Sequence, residues 1–155
     1  MRSLMGMTGV AAALALAAVL APAGALVRGT TDSGLAFVSG GIGSEDMAAL
    51  DQERGRYDLA ILTAAKGSGA FLSDIHVRIT DAHDVQVLDT VMDGPWLLVD
   101  LPAGHYTIAA SLADQVQKST LSLLANGHHQ ATFYFDTHDA VEPAGGAPAA
   151  PVVTQ

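Results

Sequence analysis

The sequence predicts an all-β protein: a seven-stranded antiparallel β-sandwich with a short N-terminal helix. From residue 57 onward, apolar residues recur at every second position, which is typical of strands with one buried face. Turn-forming residues separate these stretches at intervals of roughly 9–13 residues, the spacing of sandwich strands. No connection between them is long enough for the helical crossover of an α/β sheet.

Residues 1–25 have the features of a secretory signal peptide. Arg2 precedes an uncharged apolar run, Val10–Ala21, and small-x-small cleavage sequences end at Ala23 and Ala25. As a helix the run would be roughly 18 Å long, short of the ~30 Å hydrocarbon core of a membrane. We therefore expect a periplasmic or secreted protein, cleaved near Ala23 or Ala25. The alternative is a leader that stays uncleaved and anchors the chain to the membrane.

Composition and charge exclude several functions. The 155 residues include 16 acidic and 7 basic side chains, so the formal net charge is −9. Arg2 is the only charged residue of the predicted leader, so removal of the leader would make the net charge −10. Such a chain repels the phosphates of nucleic acid, which we exclude as a partner. The absence of cysteine excludes disulfides, thiol catalysis and metal sites built on cysteine.

Glycine, serine and threonine dominate residues 26–43, which predicts a flexible linker. Within it, Ser39–Gly43 has the glycines of a phosphate-binding loop. The Lys-Ser/Thr pair that such a loop requires is missing, and Glu45 and Asp46 follow instead. Two carboxylates there would repel a phosphate, so we interpret the segment as a lead-in to the helix.

A short helix is predicted over residues 44–56. Ser44 is a suitable N-cap, and Met47 and Leu50 fall at helical spacing on one face. Gly55 ends the pattern.

Residues 57–135 are predicted to form the sandwich domain, and residues 136–155, rich in alanine and proline, a disordered tail. The strands are expected near residues 57–64, 75–80, 85–87, 97–101, 106–112, 115–123 and 130–135. The strand at 115–123 is the most polar of these, so we expect it at a sheet edge, where unpaired backbone groups can receive a partner.

One motif within Gly69–Ser111 resembles a known family. The stretch from Leu101 to Ile108 (LPAGHYTI) is similar to the L-P-x-G-x-Y-x-hydrophobic signature of carboxypeptidase regulatory-like domains, which are transthyretin-like β-sandwiches. The resemblance implies a transthyretin-like or immunoglobulin-like fold in about 70 to 80 residues of the chain, and a small exported bacterial protein of unassigned role.

The residues of this signature have a physical explanation. Pro102 fixes the turn that follows Leu101, Gly104 allows a positive φ, and Tyr106 enters the core with a polar tip. The transthyretin-like hydrolases of purine breakdown carry a tyrosine-rich C-terminal signature, whereas this chain ends in alanine and proline. We therefore do not carry over their activity, and we predict no catalytic or cofactor-binding residues.

Six histidines raise the possibility of metal binding, because neutral imidazole binds zinc, copper or nickel. They are His76, His83, His105, His128, His129 and His138. No two lie at i and i+2 on one strand, and the adjacent His128 and His129 would point to opposite faces. We expect solvent-facing histidines and no bound metal or cofactor, with His105, His128 and His129 as the candidate ligands of any site.

Three other patterns have both a structural and a functional interpretation. The aspartates Asp81, Asp84, Asp89 and Asp93 suggest calcium but lack the EF-hand spacing, so hairpin turns explain them better. Ser68 and Ser73 border a loop without a histidine at a defined spacing. Trp96 and Tyr134 could form an aromatic pair that stacks on a sugar, although packing of these rings is the simpler interpretation.

These observations favour a non-enzymatic exported module that binds an envelope or periplasmic protein through a sheet edge or loops. Gln117 and Ser119, on the polar strand, are the expected edge contacts. The alternative is a protein that binds a metal or a small ligand, including carbohydrate, through surface histidines or aromatic residues. A small hydrolase is the third hypothesis and would need a serine, a histidine and an aspartate to converge.

Overall fold

The computed structural model describes residues 26–137, which form two β-sheets and one helix. The strands are β1 (Val27–Thr30), β2 (Ala36–Gly40), β3 (Leu59–Ala65), β4 (His76–Asp81), β5 (Gln86–Val91), β6 (Trp96–Val99), β7 (Gly104–Leu112), β8 (Gln115–Leu123) and β9 (His129–Phe135). Helix α1 spans Ser44–Glu53 and continues into a 3₁₀ turn at Arg54–Arg56. The predicted leader, His138 and the tail beyond Thr137 lie outside the described residues.

The all-β prediction is confirmed, but the described residues form nine strands instead of seven. A five-stranded sheet has the order β1-β2-β6-β3-β9, and a four-stranded sheet has the order β5-β4-β7-β8. The seven predicted strands correspond to β3 through β9. The prediction of a linker at residues 26–43 is wrong, because β1 and β2 form there and β2 pairs with β6. β1 and β2 are held in place by backbone hydrogen bonds to neighbouring strands, which do not require alternating apolar side chains. The sequence of residues 26–43 therefore shows little of the hydrophobic alternation that predicts a strand.

The prediction that every strand pair is antiparallel is also wrong. β9 runs parallel to β3 over its full length, from Leu59 opposite His129 to Ala65 opposite Phe135. Parallel neighbours need a long connection, which is usually a helix. Here the intervening chain forms the whole four-stranded sheet, so β9 returns beside β3 without a helical crossover.

The main core lies between the two sheets. Alternate residues of β3, β4, β7 and β9 point inward, and most are fully buried. The largest fully buried side chains include Phe135, Leu59, Ile61, Ile75, Ile79, Met92, Leu97 and Ile108. This packing places the connections between strands at the two ends of the sandwich.

A second, smaller core lies under α1, on the outer face of the five-stranded sheet. Leu50 and Met47 of the helix pack on Trp96 and Leu98 of β6 and on Val38 of β2. All four residues of β6 are therefore buried, two on each face. The expected N-cap is one residue off, because Gly43 (φ 95°) occupies that position and the helix begins at Ser44 without a side-chain cap.

The family-like motif forms a corner at the start of β7. The Tyr106 hydroxyl donates a hydrogen bond to the Pro102 carbonyl at 2.8 Å, and Leu101 is fully buried beside it. Such tyrosine corners are known from immunoglobulin-like sandwiches. Gly104 does not use the positive φ that glycine allows, since it is not among the residues with that conformation. A Cβ at this position would lie 3.6 Å from the Tyr106 side chain, which is an ordinary van der Waals contact. The space beside the tyrosine therefore does not require glycine.

The corner bond gives the first prediction. Tyr106→Phe removes the hydroxyl and keeps the ring, so we expect unfolding to become about 1 kcal/mol easier, the typical net value of one hydrogen bond. Urea denaturation measures the change. Tyr134→Phe is the matched control, because Tyr134 is half exposed and its hydroxyl makes no hydrogen bond within residues 26–137. Equal loss in both variants would contradict a role for the corner.

Candidate functional site

Three loops meet at one end of the sandwich, which we call the glycine-rich end. They comprise residues 40–43, 66–74 and 92–95. Six residues in two of these loops have a positive φ: Gly40, Gly41, Gly43, Gly67, Gly69 and Asp74. Backbone of this kind is uncommon and concentrates at binding and catalytic sites. The third loop touches the first, since a Cβ on Gly94 would clash with the Gly40 carbonyl.

Buried polar side chains hold these loops in place. Thr63 is fully buried, and its hydroxyl donates to the Leu72 carbonyl at 2.8 Å, while the Leu72 N–H returns to the Thr63 carbonyl at 3.1 Å. Ser39 is also buried, and its hydroxyl accepts the Asp93 N–H at 2.9 Å. Both residues classed as buried and polar in the described chain therefore fix a loop at this end.

An apolar groove of about 300 Å³ lies between the first two loops. Its walls include Ile42, Phe71, Leu72 and Pro95, and no charged residue lines it. Ile42 is 54% exposed and Phe71 is 58% exposed, although neighbouring Leu72 is buried. The loop thus turns one side chain into the core and presents the adjacent phenylalanine to solvent. This site could not be predicted from the sequence, because residues 26–43 have the glycine-, serine- and threonine-rich composition of a linker.

The candidate metal ligands do not come together. Nδ1 of His105 lies 2.6 Å from the Ser122 hydroxyl on the four-stranded sheet. Nδ1 of His128 lies 2.9 Å from the Tyr57 carbonyl, beside the start of β3. His129, the first residue of β9, is exposed. Among residues 26–137 no group of three or more histidines and carboxylates could hold a metal ion.

The turn aspartates have structural partners. Oδ1 of Asp81 accepts the N–H groups of His83 and Val85 at 2.8 and 3.0 Å, and these bonds lower the pKa of its carboxyl. Asp84 in the same turn has φ 59°. Asp93 donates its N–H to Ser39. This arrangement supports the hairpin-turn interpretation of Asp81, Asp84 and Asp93. The interpretation is wrong for Asp89, which lies within β5 opposite Arg78 and pairs with Arg78 and His76.

Neither predicted serine makes a catalytic arrangement. Ser68 accepts the Ala70 N–H, and Ser73 bonds the carboxylate of Asp74. The serine–histidine hydrogen bond that does form joins Ser122 to His105 on an exposed strand pair. Nε2 of His105 has no partner within the described residues, so the pair lacks an orienting carboxylate.

The two aromatic candidates have different environments. Trp96 is buried under α1, with the Arg54 guanidinium 4.2 Å from its ring centroid, whereas Tyr134 is 50% exposed. The packing interpretation therefore holds for Trp96, and the two rings do not form a surface pair.

The polar strand β8 lies at the edge of its sheet, as predicted. Its expected contacts are nevertheless unsuitable, because Gln117 and Ser119 are half-buried. The Gln117 amide donates to the Tyr134 carbonyl, and Gln115 bonds both backbone groups of Asp136 at 2.7 and 3.0 Å. These side-chain bonds connect β8 to the end of β9. The outer backbone edge of β8 pairs with no other strand of the described residues, so binding of a partner there stays a prediction.

Comparison with known proteins gives no assignment: no family model matches the chain, and no curated protein matches it. Within residues 26–137, no helix has the length and apolar character needed to cross a membrane.

A carboxylate pair lies at the end of the sandwich opposite the glycine-rich end. Asp58 precedes Leu59 of β3 and Asp100 follows Val99 of β6, so the two carboxylates are neighbours across these antiparallel strands. Partial loss of hydration, followed by the hydrogen bond and charge of Asp58, raises the pKa of Asp100 although Asp100 is exposed. The folded state therefore holds this proton more tightly than the unfolded state, and stability falls as the pH rises from about 3.8 through the raised pKa.

This pair gives the second prediction. Asp100→Asn removes one of two neighbouring charges, so we expect a higher urea midpoint than wild type at pH 7. The gain should shrink as the pH falls through the raised pKa of Asp100, because Asp100 is then neutral in the folded wild type as well. Asp114→Asn, in the exposed β7–β8 turn, is the control for a general charge effect. Equal gains in the two variants at pH 7 would refute the pairing.

Proposed function

We propose that this chain is a non-enzymatic, exported binding module of the periplasm or cell envelope, with a carboxypeptidase regulatory-like sandwich as its scaffold. It engages a protein partner through the loops of the glycine-rich end. The observation that carries the proposal is Phe71, a large apolar side chain held 58% exposed by a loop that buried hydrogen bonds fix.

The chemistry of the groove suits a protein partner. Exposed aromatic side chains in preorganised loops are typical anchors of protein interfaces, because burying the ring on binding costs little conformational entropy. The groove walls are uncharged and, apart from Ser73, have no polar side chain, so they complement an apolar side chain better than a polar metabolite. The predicted leader at residues 1–25 supports an exported location.

The loops are a better binding surface than the edge of β8. The side chains of Gln115 and Gln117 already bond to the backbone of the other sheet there. The side chains of Phe71 and Ile42 are instead more than half exposed, and they lie on two loops that line the same groove. The partner surface is therefore proposed to centre on these two residues.

Site-specific photo-cross-linking tests the proposal. A photoreactive phenylalanine analogue is placed at position 71 of the full chain in its own cells, and separately at position 134. We expect a discrete adduct with one envelope protein from position 71 and none from position 134. Tyr134 is the matched control because it is an exposed aromatic residue on the sheet surface.

Binding of the purified partner then supplies the quantitative prediction. Phe71→Ser should weaken binding by at least about tenfold, as expected for an aromatic anchor, whereas Tyr134→Ser should leave it within about twofold of wild type. The proposal fails if positions 71 and 134 give the same adducts, if neither gives one, or if Phe71→Ser binds as well as wild type.

A further inference from the structure

The outer face of the four-stranded sheet carries a groove of about 500 Å³ that is separate from the glycine-rich end. We infer that this groove is a second binding site, which holds a small organic dianion between Arg78 and Lys118. The site is independent of the proposed protein partner, because it lies on the outward-facing residues of β4, β7 and β8.

The strand register builds the two sides and the floor. Arg78 on β4 is opposite Ala109 on β7, and Ala109 is opposite Lys118 on β8. All three side chains point to the same face, because directly opposed residues of antiparallel strands do so. With strands about 4.8 Å apart, the two cations start roughly 10 Å apart across the small alanine. The gap between them is the centre of the groove.

Hydroxyl groups border the centre along the strand direction. Ser111 lies two residues after Ala109 on β7, and Thr107 lies two residues before it, so both share its face. Both line the groove. Val116, 58% exposed, is opposite Ser111 and adds an apolar contact. An anionic ligand would thus find cations on two sides and hydroxyl donors beside them.

Asp89 on β5 holds part of the site in position. Its Oδ2 accepts the Nε–H of Arg78 at 2.9 Å, and its Oδ1 lies 2.5 Å from Nε2 of His76. This use of Nε leaves the two Nη groups of Arg78 without a hydrogen bond in the described chain. Lys118 likewise has no ion pair among the described residues. Lys118 and the Nη groups of Arg78, whose charge is already paired with Asp89, are therefore available to carboxylate or phosphate oxygens.

The surrounding charges favour a small ligand over a polymer. Asp84 also lines the groove, Asp89 lies opposite Arg78 on the same face, and the whole chain has a net charge of −9. A long polyanion would therefore meet repulsion beyond the two cations. A molecule with two anionic groups and a short apolar spacer can pair with Arg78 and Lys118 while its spacer lies on Ala109 and Val116. Dicarboxylates have this chemistry.

Amide NMR titration with succinate tests the inference on the full chain. We expect chemical-shift changes centred on Ala109 and its neighbours in β4 and β8, and weaker binding of acetate at equal ionic strength. Lys118→Glu reverses one cation that has no partner to lose, and Ala109→Leu fills the floor without changing the charge. Each should raise the Kd for succinate by about tenfold.

Arg56→Glu is the matched control, since Arg56 is an exposed cation in the 3₁₀ turn and the charge change is the same. It should change the Kd less than about twofold. The inference is overturned if Arg56→Glu weakens binding as much as Lys118→Glu, if acetate binds as tightly as succinate, or if the shifts map elsewhere. Where Ala109→Leu does not fold, Lys118→Glu and Arg78→Gln decide the outcome.

Discussion

The central constraint on this fold is that the middle strands of the five-stranded sheet must be covered on both faces. β6 is buried at all four positions, and β3 at six of seven. One face packs on the four-stranded sheet, and the other needs α1, whose Leu50 and Met47 cover Trp96 and Leu98. An uncovered outer face would expose these large apolar residues, so the helix is part of the folded domain rather than an appendage to it.

Docking of the helix also fixes the glycine-rich end. Gly41 (φ 96°) lies between the helix and the sheet, where a Cβ would come 2.8 Å from Trp96 Cδ1 and 3.0 Å from Leu50 Cδ1. The close approach therefore requires glycine, both for space and for backbone conformation. Ile42 follows directly, so the contact that seals the outer core also positions one wall of the apolar groove. Packing and the binding surface depend on the same few residues.

Strands with one buried and one solvent-exposed face could be predicted from the sequence, because their apolar residues occur at every second position, as at Ile75, Val77 and Ile79. The alternation also predicts the inward direction of Tyr106. β1 and β2 could not be predicted in this way, because β2 (AFVSG) is ordered by backbone pairing to β6 and by the helix above it. Leu98 lies on the outer face of the five-stranded sheet, where a large apolar residue indicates that another element covers this face. The parallel partner of β3 depends on a contact distant in sequence, which local patterns do not encode.

Placing Trp96 beneath α1 has a practical consequence. It is the single tryptophan of the chain, and its indole lies in the outer core instead of between the sheets. The Arg54 guanidinium stacks on the ring, and the indole N–H is buried without a partner among the described residues. Fluorescence excited selectively at this tryptophan therefore reports on the helix–sheet contact. Together with circular dichroism of the strands, it separates lifting of the helix from melting of the sandwich in the unmodified protein.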